Sequence, residues 1–359
     1  MYKSFEVKDF RCFEELAIPK LERINLIAGV NNVGKTALLE ALFLHSGAYN
    51  PELVMKISAF RGIDVMKIEP ERLGVSPWDS IFHNFDKSRT VVLRGENEIA
   101  GRRILRIKET TPKLEEGLSR FIVEESGKPA GIALSSEIGR VLELESEEQR
   151  KRSRYHIIFD SKGPRVEPIP PPPPFRAFFQ SDRIRPSPRE EAELFGKLEI
   201  ENRQDVLLHA LRVIEPRLSR MAVVVAAGEP MLHGDVGIGR LIPLPLMGGG
   251  MVRLLGYILR IINAPKGVVF IDEVENGLHH SVMKEVWKTI GDVARAFDTQ
   301  VFATTHSLEC AVAAHTAFAE NEIYDFSLHR LERVREKIRI VTYDKESLAA
   351  AIETGLEIR

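Results

Sequence analysis

Two patterns of apolar positions divide the chain. Near the N-terminus, a short and partly apolar segment (Phe5–Phe13) precedes an apolar strand (Ile24–Ala28), a glycine-containing loop and a helix over Thr36–His45. Leu38, Leu39 and Leu42 recur at helical spacing, which predicts one apolar face on that helix. Further apolar strands are predicted at 267–271 and 301–304, with helical patterns between them. Strands that alternate with helices in this order predict an α/β fold.

The segment from about Thr90 to Asp160 has a different pattern. Short apolar runs are separated by charged or glycine-containing turns, which is typical of antiparallel strands. The predicted strands are Val91–Leu93, Ile104–Ile107, Phe121–Val123, Val141–Leu144 and His156–Phe159.

Five consecutive prolines, Pro170–Pro174, follow these strands. They impose an extended polyproline II conformation and exclude a helix or a central strand. We interpret them as a stiff spacer between subdomains, and a ligand for a proline-recognition domain is the alternative. Helical patterns return over Pro188–Met221, and the tail predicts a hairpin (Phe326–Tyr343) and a short helix that ends at Gly355.

These changes of pattern predict one two-lobed unit over residues 1–359. Residues 50–165 are predicted to be mainly an antiparallel β insertion, and 166–188 a proline-rich spacer. Residues 189–262 are predicted to form a helical lobe. Residues 263–359 carry an acidic strand end, a histidine and the hairpin.

The loop after the second strand carries the clearest chemical signal. Residues 29–36 read GVNNVGKT and match the pattern G-x-x-x-x-G-K-[ST]. Glycines in such a loop turn backbone N–H groups toward phosphates, the lysine adds a positive charge, and the hydroxyl ligates Mg²⁺. The predicted contacts to the bound group are Gly29, Asn31, Asn32, Val33, Gly34, Lys35 and Thr36, of which Thr36 also serves the metal.

The strand at 267–271 ends in two carboxylates, Asp272 and Glu273. Downstream of a phosphate loop, this pair predicts two different tasks. Asp272 is expected to hold Mg²⁺, through water, and Glu273 to orient and deprotonate the attacking water. A glutamate directly after the metal aspartate favours hydrolysis.

Two further motifs complete the set. Gly248, Gly249 and Gly250 begin a strongly apolar helix, so their amides predict a second anion site that a partner subunit would share; a flexible hinge is the alternative. His306 follows the strand at 301–304 and can hydrogen-bond a γ-phosphate. The adjacent His279 and His280 lack the spacing of a zinc site and suggest a turn that packs against a partner subunit.

Composition narrows the function classes. Hydrophobic residues make up 44% and charged residues 28%, as in globular proteins, and the net charge of −2 argues against coating of nucleic acid through bulk charge. A local basic patch at 150–154 is either a DNA contact or a solvated loop. Cys12 and Cys310 fit a reducing compartment. Because neither a signal peptide nor a membrane span is found in the sequence, we expect a cytoplasmic protein.

The order of the motifs resembles the ATPase heads of the ABC superfamily, in particular the branch with SMC proteins, RecF and the OLD (overcoming lysogenisation defect) family. The stretches VKDFRCF, LIAGVNNVGKTALLEALF, LPLMGGGMVRLL, VVFIDEVENGLHH and VFATTHS carry the resemblance. It implies ATP and Mg²⁺ as cofactors and a homodimer. Gly248–Gly250 would then act in trans, Asn276–His279 would form the D-loop, His306 would be the switch histidine, and Arg11 would lie near the nucleotide.

The chain also departs from that family. The usual signature serine is replaced by the Met247–Gly248 region, and no clear Q-loop glutamine follows the first strands, for which Asp79 is a weak substitute. We expect no long coiled coil, because the sequence has no sustained apolar heptad seam, and no attached Toprim nuclease, because few residues follow His306.

The sequence leaves three functions open. The first is an ATP hydrolase that dimerises around Mg-ATP and drives or licenses a partner, in DNA repair or phage defence. The second is an ATP-bound scaffold with negligible turnover that holds a separate effector such as a nuclease. The third is direct DNA engagement.

Overall fold

The computed structural model describes residues 1–48, 50–61, 78–110, 140–149, 151–160, 163–184 and 187–358. The strands are β1 (Tyr2–Phe10), β2 (Phe13–Ile18), β3 (Ile24–Ala28), β4 (Val91–Asn97), β5 (Gly101–Thr110), β6 (Arg140–Glu148), β7 (Lys151–Asp160), β8 (Gly163–Glu167), β9 (Ala177–Gln180), β10 (Arg220–Ala226), β11 (Glu229–Asp235), β12 (Ile242–Pro243), β13 (Val268–Ile271), β14 (Gln300–Thr304), β15 (Phe326–Val334) and β16 (Lys337–Tyr343). The helices are α1 (Lys35–Ser46), α2 (Glu52–Ala59), α3 (Pro188–Ile200), α4 (Gln204–Leu211), α5 (Gly249–Ile262), α6 (His280–Ala296), α7 (Leu308–Ala319) and α8 (Lys345–Glu353).

A six-stranded sheet with the order β16-β15-β3-β14-β13-β9 forms the centre. The pairs from β15 to β9 are parallel, and β16 returns antiparallel. Every residue of β3, β13 and β14 is buried, because helices cover both faces of a parallel sheet. Phe270 and Phe302 pack on the α1 side, whereas Val269 and Ile271 pack with α5 and α6 on the other.

A seven-stranded antiparallel sheet with the order β2-β1-β4-β5-β6-β7-β8 lies beside α1. Four of the five strands predicted in the middle segment are confirmed within β4–β7; Phe121–Val123 lies outside the described residues. Because β1 and β2 join the same sheet, the strands of the predicted insertion extend a sheet that begins at the N-terminus. The predicted segment Phe5–Phe13 is divided between β1 and β2 by a turn in which Arg11 has a φ of 50°.

The proline-rich segment differs from its prediction in one respect. Pro171–Pro174 are exposed and form neither helix nor strand, but the chain then enters β9, which pairs with β13 inside the central sheet. The predicted spacer over 166–188 therefore contains a core strand. With only four residues, Ala177–Gln180, β9 carries too short an apolar run to be recognised beside the prolines.

The second lobe combines helices with strands. Helices α3, α4 and α5 pack with a three-stranded antiparallel sheet, β10-β11-β12, around one apolar cluster. At the C-terminus the predicted hairpin is confirmed as β15–β16. Helix α8 begins at Lys345, because the Asp344 side chain caps it by accepting from the backbone N–H of Ser347. Among the described residues, no helix is long and apolar enough to cross a membrane.

Candidate nucleotide site

The phosphate loop joins β3 to α1. Gly29, Asn32 and Gly34 have φ values of 148°, 61° and 110°, which favour glycine or asparagine. A Cβ atom at Gly29 would lie 2.7 Å from the carbonyl oxygen of Leu331, and one at Gly34 would lie 2.7 Å from Cys12 Sγ. Both glycines are therefore required by the backbone conformation and by close neighbours.

Lys35 lies inside this loop. Its Nζ donates to the carbonyl oxygens of Gly29 and Val30 at 2.7 and 3.1 Å. Burial lowers the pKa of Lys35, and the nearby Glu273, Glu275 and Asp272 oppose that effect. The ammonium group is thus held in the centre of the loop, where phosphate oxygens can replace the two carbonyl acceptors.

Thr36 and Asp272 meet at the start of α1 and the end of β13. Thr36 Oγ1 donates to Asp272 Oδ1 at 3.0 Å, and Thr304 Oγ1 donates to the same oxygen at 2.7 Å. Burial raises the pKa of Asp272, while the bonds from Thr304 and Thr36 act in the opposite direction. A hydroxyl and a carboxylate beside a phosphate loop are hard oxygen donors, so these residues fit Mg²⁺.

Glu273 follows Asp272, and its backbone lies in the left-handed region, with a φ of 50°. Its backbone N–H donates to Thr304 Oγ1 at 2.8 Å, and its Oε2 accepts from Asn276 Nδ2 at 2.5 Å. A glutamate is uncommon in this conformation, which these two bonds hold in place. The turn directs the Glu273 carboxylate to the wall of a cavity.

His306 is fixed by a residue that the sequence analysis did not single out. Glu275 Oε1 accepts from the backbone N–H of His306 at 2.8 Å and lies 3.1 Å from its Nδ1. The Glu275 side chain is largely buried, whereas that of His306 is 44% exposed and lines the cavity. Because Nδ1 faces Glu275, Nε2 is the ring nitrogen available to a ligand.

The cavity has a volume of about 1070 Å³ and brings most of the predicted residues together. Those on its wall are Arg11, Asn31, Asn32, Gly34, Lys35, Thr36, Asp272, Glu273 and His306. Gly29 and Val33 belong to the loop but lie off the wall, and the Val33 side chain is buried in the core.

Gly248, Gly249 and Gly250 do not line this cavity. They begin α5, where a Cβ atom on Gly248 or Gly249 would meet nothing within 4 Å, so this surface is open. A Cβ atom on Gly250 would lie 3.0 Å from the carbonyl oxygen of Gly277, which places the glycine turn against the Asn276–His279 segment.

Arg11 is part of an ion-pair cluster at the cavity. Its Nε lies 2.8 Å from Oε2 of the buried Glu40, and Arg61 contacts the same carboxylate at 2.8 Å. Burial lowers the pKa of Arg11 to about 10, against the opposing effect of Glu40. Glu40 and Arg61 were not predicted as site residues, since the phosphate-loop pattern ends at Thr36 and Arg61 lies in no recognisable motif.

The residues after β9 were also missed. Gln180 pairs with Ile271 at the end of the central sheet, and Ser181, Asp182 and Arg183 line the cavity. Asp182 also accepts from Arg253 of α5 at 2.6 Å, which connects the cavity to the helix that follows the glycine turn. Asp79, considered as a substitute for a Q-loop glutamine, is instead a buried ion-pair partner of Lys87 at 2.7 Å and is not on the cavity wall.

The basic patch at 150–154 is engaged within the antiparallel sheet. Arg152 lies 3.4 Å from Glu147, and Arg154 lies 3.1 Å from Glu145 on the neighbouring strand. Arg150 lies outside the described residues. These ion pairs reduce the free positive charge of the two described arginines and weaken the case for a DNA contact here.

The fold and the site define a class, the α/β P-loop NTPases with an ABC-type ATPase head, as the sequence predicted. The chain aligns with a crystal structure of an SMC head bound to the C-winged helix domain of ScpA, with a TM-score of 0.51 and 12% identity, over 98% of this chain and 99% of that one. The resemblance to SMC- and RecF-like heads is thereby confirmed at the level of fold.

Residues 24–311 match the family described as "AAA domain, putative AbiEii toxin, Type IV TA system", and the chain belongs to this family. A protein named "ATP/GTP phosphatase" from Helicobacter pylori is 23% identical over 330 residues, which cover 86% of each chain. An uncharacterised protein of Methanocaldococcus jannaschii is 44% identical over 48 residues, or 13% of this chain and 22% of that protein. The chain is therefore an ATPase-class protein of the AAA and SMC-like type.

Proposed function

We propose that the protein hydrolyses ATP to ADP and phosphate with Mg²⁺ and uses the cycle as a switch. The observation that carries the proposal is the convergence of Lys35, Thr36, Asp272, Glu273 and His306 on one cavity. These residues come from two strand ends and one helix start, and together they supply a phosphate-binding, a metal-binding and a basic group.

Each residue has a task in this reaction. Lys35 binds the β- and γ-phosphates, and Thr36 and Asp272 hold Mg²⁺, which neutralises charge on the phosphates when bound. Glu273 accepts a proton from water, whose oxygen bonds to the γ-phosphorus while the bond to the ADP oxygen breaks. As an imidazolium with its Nδ1–H directed to Glu275, His306 donates from Nε2 to a γ-phosphate oxygen, and the proton on Glu273 leaves with the product.

A homodimer that closes on ATP completes the proposal. The surface at Gly248 and Gly249 is open to a second subunit, and Leu246 beside it is 76% exposed. A nucleotide held between two subunits favours the closed state and is released after hydrolysis, which makes a switch. By resemblance to OLD-like and RecF-like heads, we assign this switch to the cytoplasm and to licensing of a partner in DNA repair or phage defence.

One feature favours a second candidate. The turn Met247–Gly250 has glycines where related heads have a signature serine, so the contact in trans lacks a hydroxyl. Weak closure would leave an ATP-bound scaffold with negligible turnover, which holds a separate effector such as a nuclease.

Steady-state hydrolysis separates the two candidates. We expect wild-type turnover, and a loss of about 100-fold or more in Glu273→Gln with ATP binding retained. Glu229→Gln, the same change at the exposed first position of β11, is the matched control. Assays with and without duplex DNA test nucleic acid as an activator.

The outcomes distinguish the candidates. If the wild type binds ATP without turnover, the scaffold is supported and the hydrolase is wrong. If Glu273→Gln hydrolyses ATP at the wild-type rate, the proton acceptor is another group. Absence of ATP binding would overturn both candidates.

A further inference from the structure

The loop Phe82–Asp86 contributes Phe82, Asn84 and Phe85 to the cavity wall, and these residues have no task in the proposed hydrolysis. Phe85 in this loop is 68% exposed. Among the exposed large apolar side chains of the described residues, it is the one aromatic ring. An aromatic ring exposed at the rim of a nucleotide-sized cavity is a candidate contact for a ligand with a flat apolar face.

The backbone presents this ring in an uncommon conformation. Asn84 and Phe85 have φ values of 52° and 59°. Asparagine tolerates this region, but a bulky residue such as phenylalanine is an outlier there, and such residues concentrate at ligand sites.

The loop is anchored on the turn between β1 and β2. His83 Nδ1 donates to the carbonyl oxygen of Arg11 at 2.9 Å, and the backbone N–H of Arg11 donates to the carbonyl oxygen of Ile81 at 2.9 Å. The same turn places Cys12 against Gly34 of the phosphate loop. The position of Phe85 is therefore set relative to the phosphates.

The direction of a bound nucleotide follows from the proposed function, on which this inference rests. The terminal phosphate must meet Thr36, Asp272 and Glu273, so the sugar and the base extend toward the part of the cavity wall that has no phosphate or metal task. Asn84 and Phe85 belong to that part of the wall. The other aromatic pair at the cavity, Phe60 and Phe179, is stacked on itself with ring centroids 4.8 Å apart.

We propose that Phe85 and Asn84 form the nucleobase subsite. A purine stacks on the Phe85 ring, and the Asn84 amide hydrogen-bonds the polar edge of the base. One N–H of the Asn84 amide is bonded to His83 Nε2 at 3.2 Å, and its second N–H and its carbonyl oxygen can pair with adenine or with guanine. The subsite therefore binds purine nucleotides as a class and discriminates weakly between ATP and GTP.

Two substitutions at one position test the ring without disturbing the backbone. Phe85→Asn removes the ring and suits the positive φ, and Phe85→Tyr keeps the ring. Calorimetric titration compares ATP, GTP and inorganic triphosphate, all with Mg²⁺. Inorganic triphosphate has no sugar or base, so its affinity depends on the phosphate-binding part of the site alone. A change in ATP and GTP affinity that triphosphate does not show is therefore due to the base subsite.

We expect Phe85→Asn to weaken ATP and GTP binding by about tenfold, as for removal of a base-stacking ring, and to leave triphosphate binding unchanged. Phe85→Tyr should bind all three ligands like the wild type. Ile200→Asn, at an 84% exposed position at the end of α3, is the control for loss of a surface apolar group.

The failures are distinguishable. If the wild type binds neither ATP nor triphosphate, the proposed function is wrong and this inference falls with it. If both bind and Phe85→Asn binds ATP like the wild type, the subsite alone is wrong. An equal loss of ATP and triphosphate binding in Phe85→Asn would also overturn it, since the loop would then act on the phosphates.

Discussion

The central six-stranded sheet and the seven-stranded antiparallel sheet bury their residues differently. In the central sheet, β3, β13 and β14 are buried at every position. In the antiparallel sheet, β5 alternates, with Leu105 and Ile107 buried and Arg106 and Lys108 on the outer face. The first sheet is covered by helices on both faces, and the second on one face.

This difference explains where the chemical groups lie. Parallel strands end at the same edge of a sheet, so the phosphate loop after β3, Asp272 after β13 and Thr304 at the end of β14 meet there. Antiparallel strands run in both directions and share no such edge. The antiparallel sheet instead contributes a wall, through the Arg11 turn and the loop Phe82–Asp86.

The outer face of the antiparallel sheet carries a ladder of alternating charge. Glu145 on β6 lies between Arg106 on β5 and Arg154 on β7, at 3.2 and 3.1 Å. Glu143 lies between Lys108 and His156 in the next register position. Ion pairs of this kind specify strand pairing and contribute little to stability.

The largest loss of stability is expected from Phe270→Ala in β13, and it tests the difference in burial between the two sheets. Phe270 is fully buried, and its ring centroid lies 5.6 Å from that of Phe302. Removal of the ring should reduce the free energy of unfolding by about 3–5 kcal/mol. Urea denaturation measures the change. Ile104→Ala, on the half-buried outer face of β5, is the comparison, and equal losses would contradict the contrast between the sheets.

The free energy of unfolding is expected to depend on pH through His45, where α1 packs against the antiparallel sheet. His45 Nδ1 bonds Tyr2 Oη at 2.8 Å, and its Nε2 donates to the carbonyl oxygen of Arg103 at 3.1 Å. Burial, with Arg103 adding to it, lowers the pKa of His45 from 6.5 to about 3. The unfolded chain therefore binds a proton that the folded chain excludes, and stability falls as the pH drops below about 6.5.

The expected slope is about 1.4 kcal/mol per pH unit for each such histidine. The pKa of His329 is also lowered by burial, to about 4, and acts in the same direction. Urea denaturation at several pH values between 7 and 4 should show a smaller slope in His45→Gln, by about one proton. Equal slopes in the variant and the wild type would contradict the assignment to His45.

The smallest change in the free energy of unfolding is expected from a substitution in the charge ladder. Glu145→Gln should change the free energy of unfolding by less than about 1 kcal/mol, because both arginine partners are partly exposed to solvent. The difference from the wild type should shrink further as NaCl is added. A loss as large as that of Phe270→Ala would mean that the ladder, and not the apolar face, holds this sheet together.

Local motifs allowed much of the site to be predicted. The phosphate loop, the pair Asp272–Glu273 and His306 each combine a strand with the residues directly after it. Residues adjacent in sequence remain adjacent in the fold, so pattern and chemistry together predicted their neighbourhood. The confirmed α/β fold class follows from the same alternation of apolar strands and helices.

Other parts of the site depend on contacts between distant segments. The residues after β9 reach the cavity because β9 pairs with β13, about ninety residues later in the chain. Glu275 reaches His306, and Glu40 holds both Arg11 and Arg61. Nothing in the local pattern of these residues distinguishes them from other surface or core positions.

The amino-acid sequence alone therefore predicted the class of chemistry, because a phosphate loop and an acidic strand end require particular residue types at short spacing. The order of the strands in the sheet, the remaining wall of the cavity and the partners of each charged group came from tertiary packing. Packing free energy is summed over the whole core, and it determines which distant residues meet without leaving a local signature in the chain.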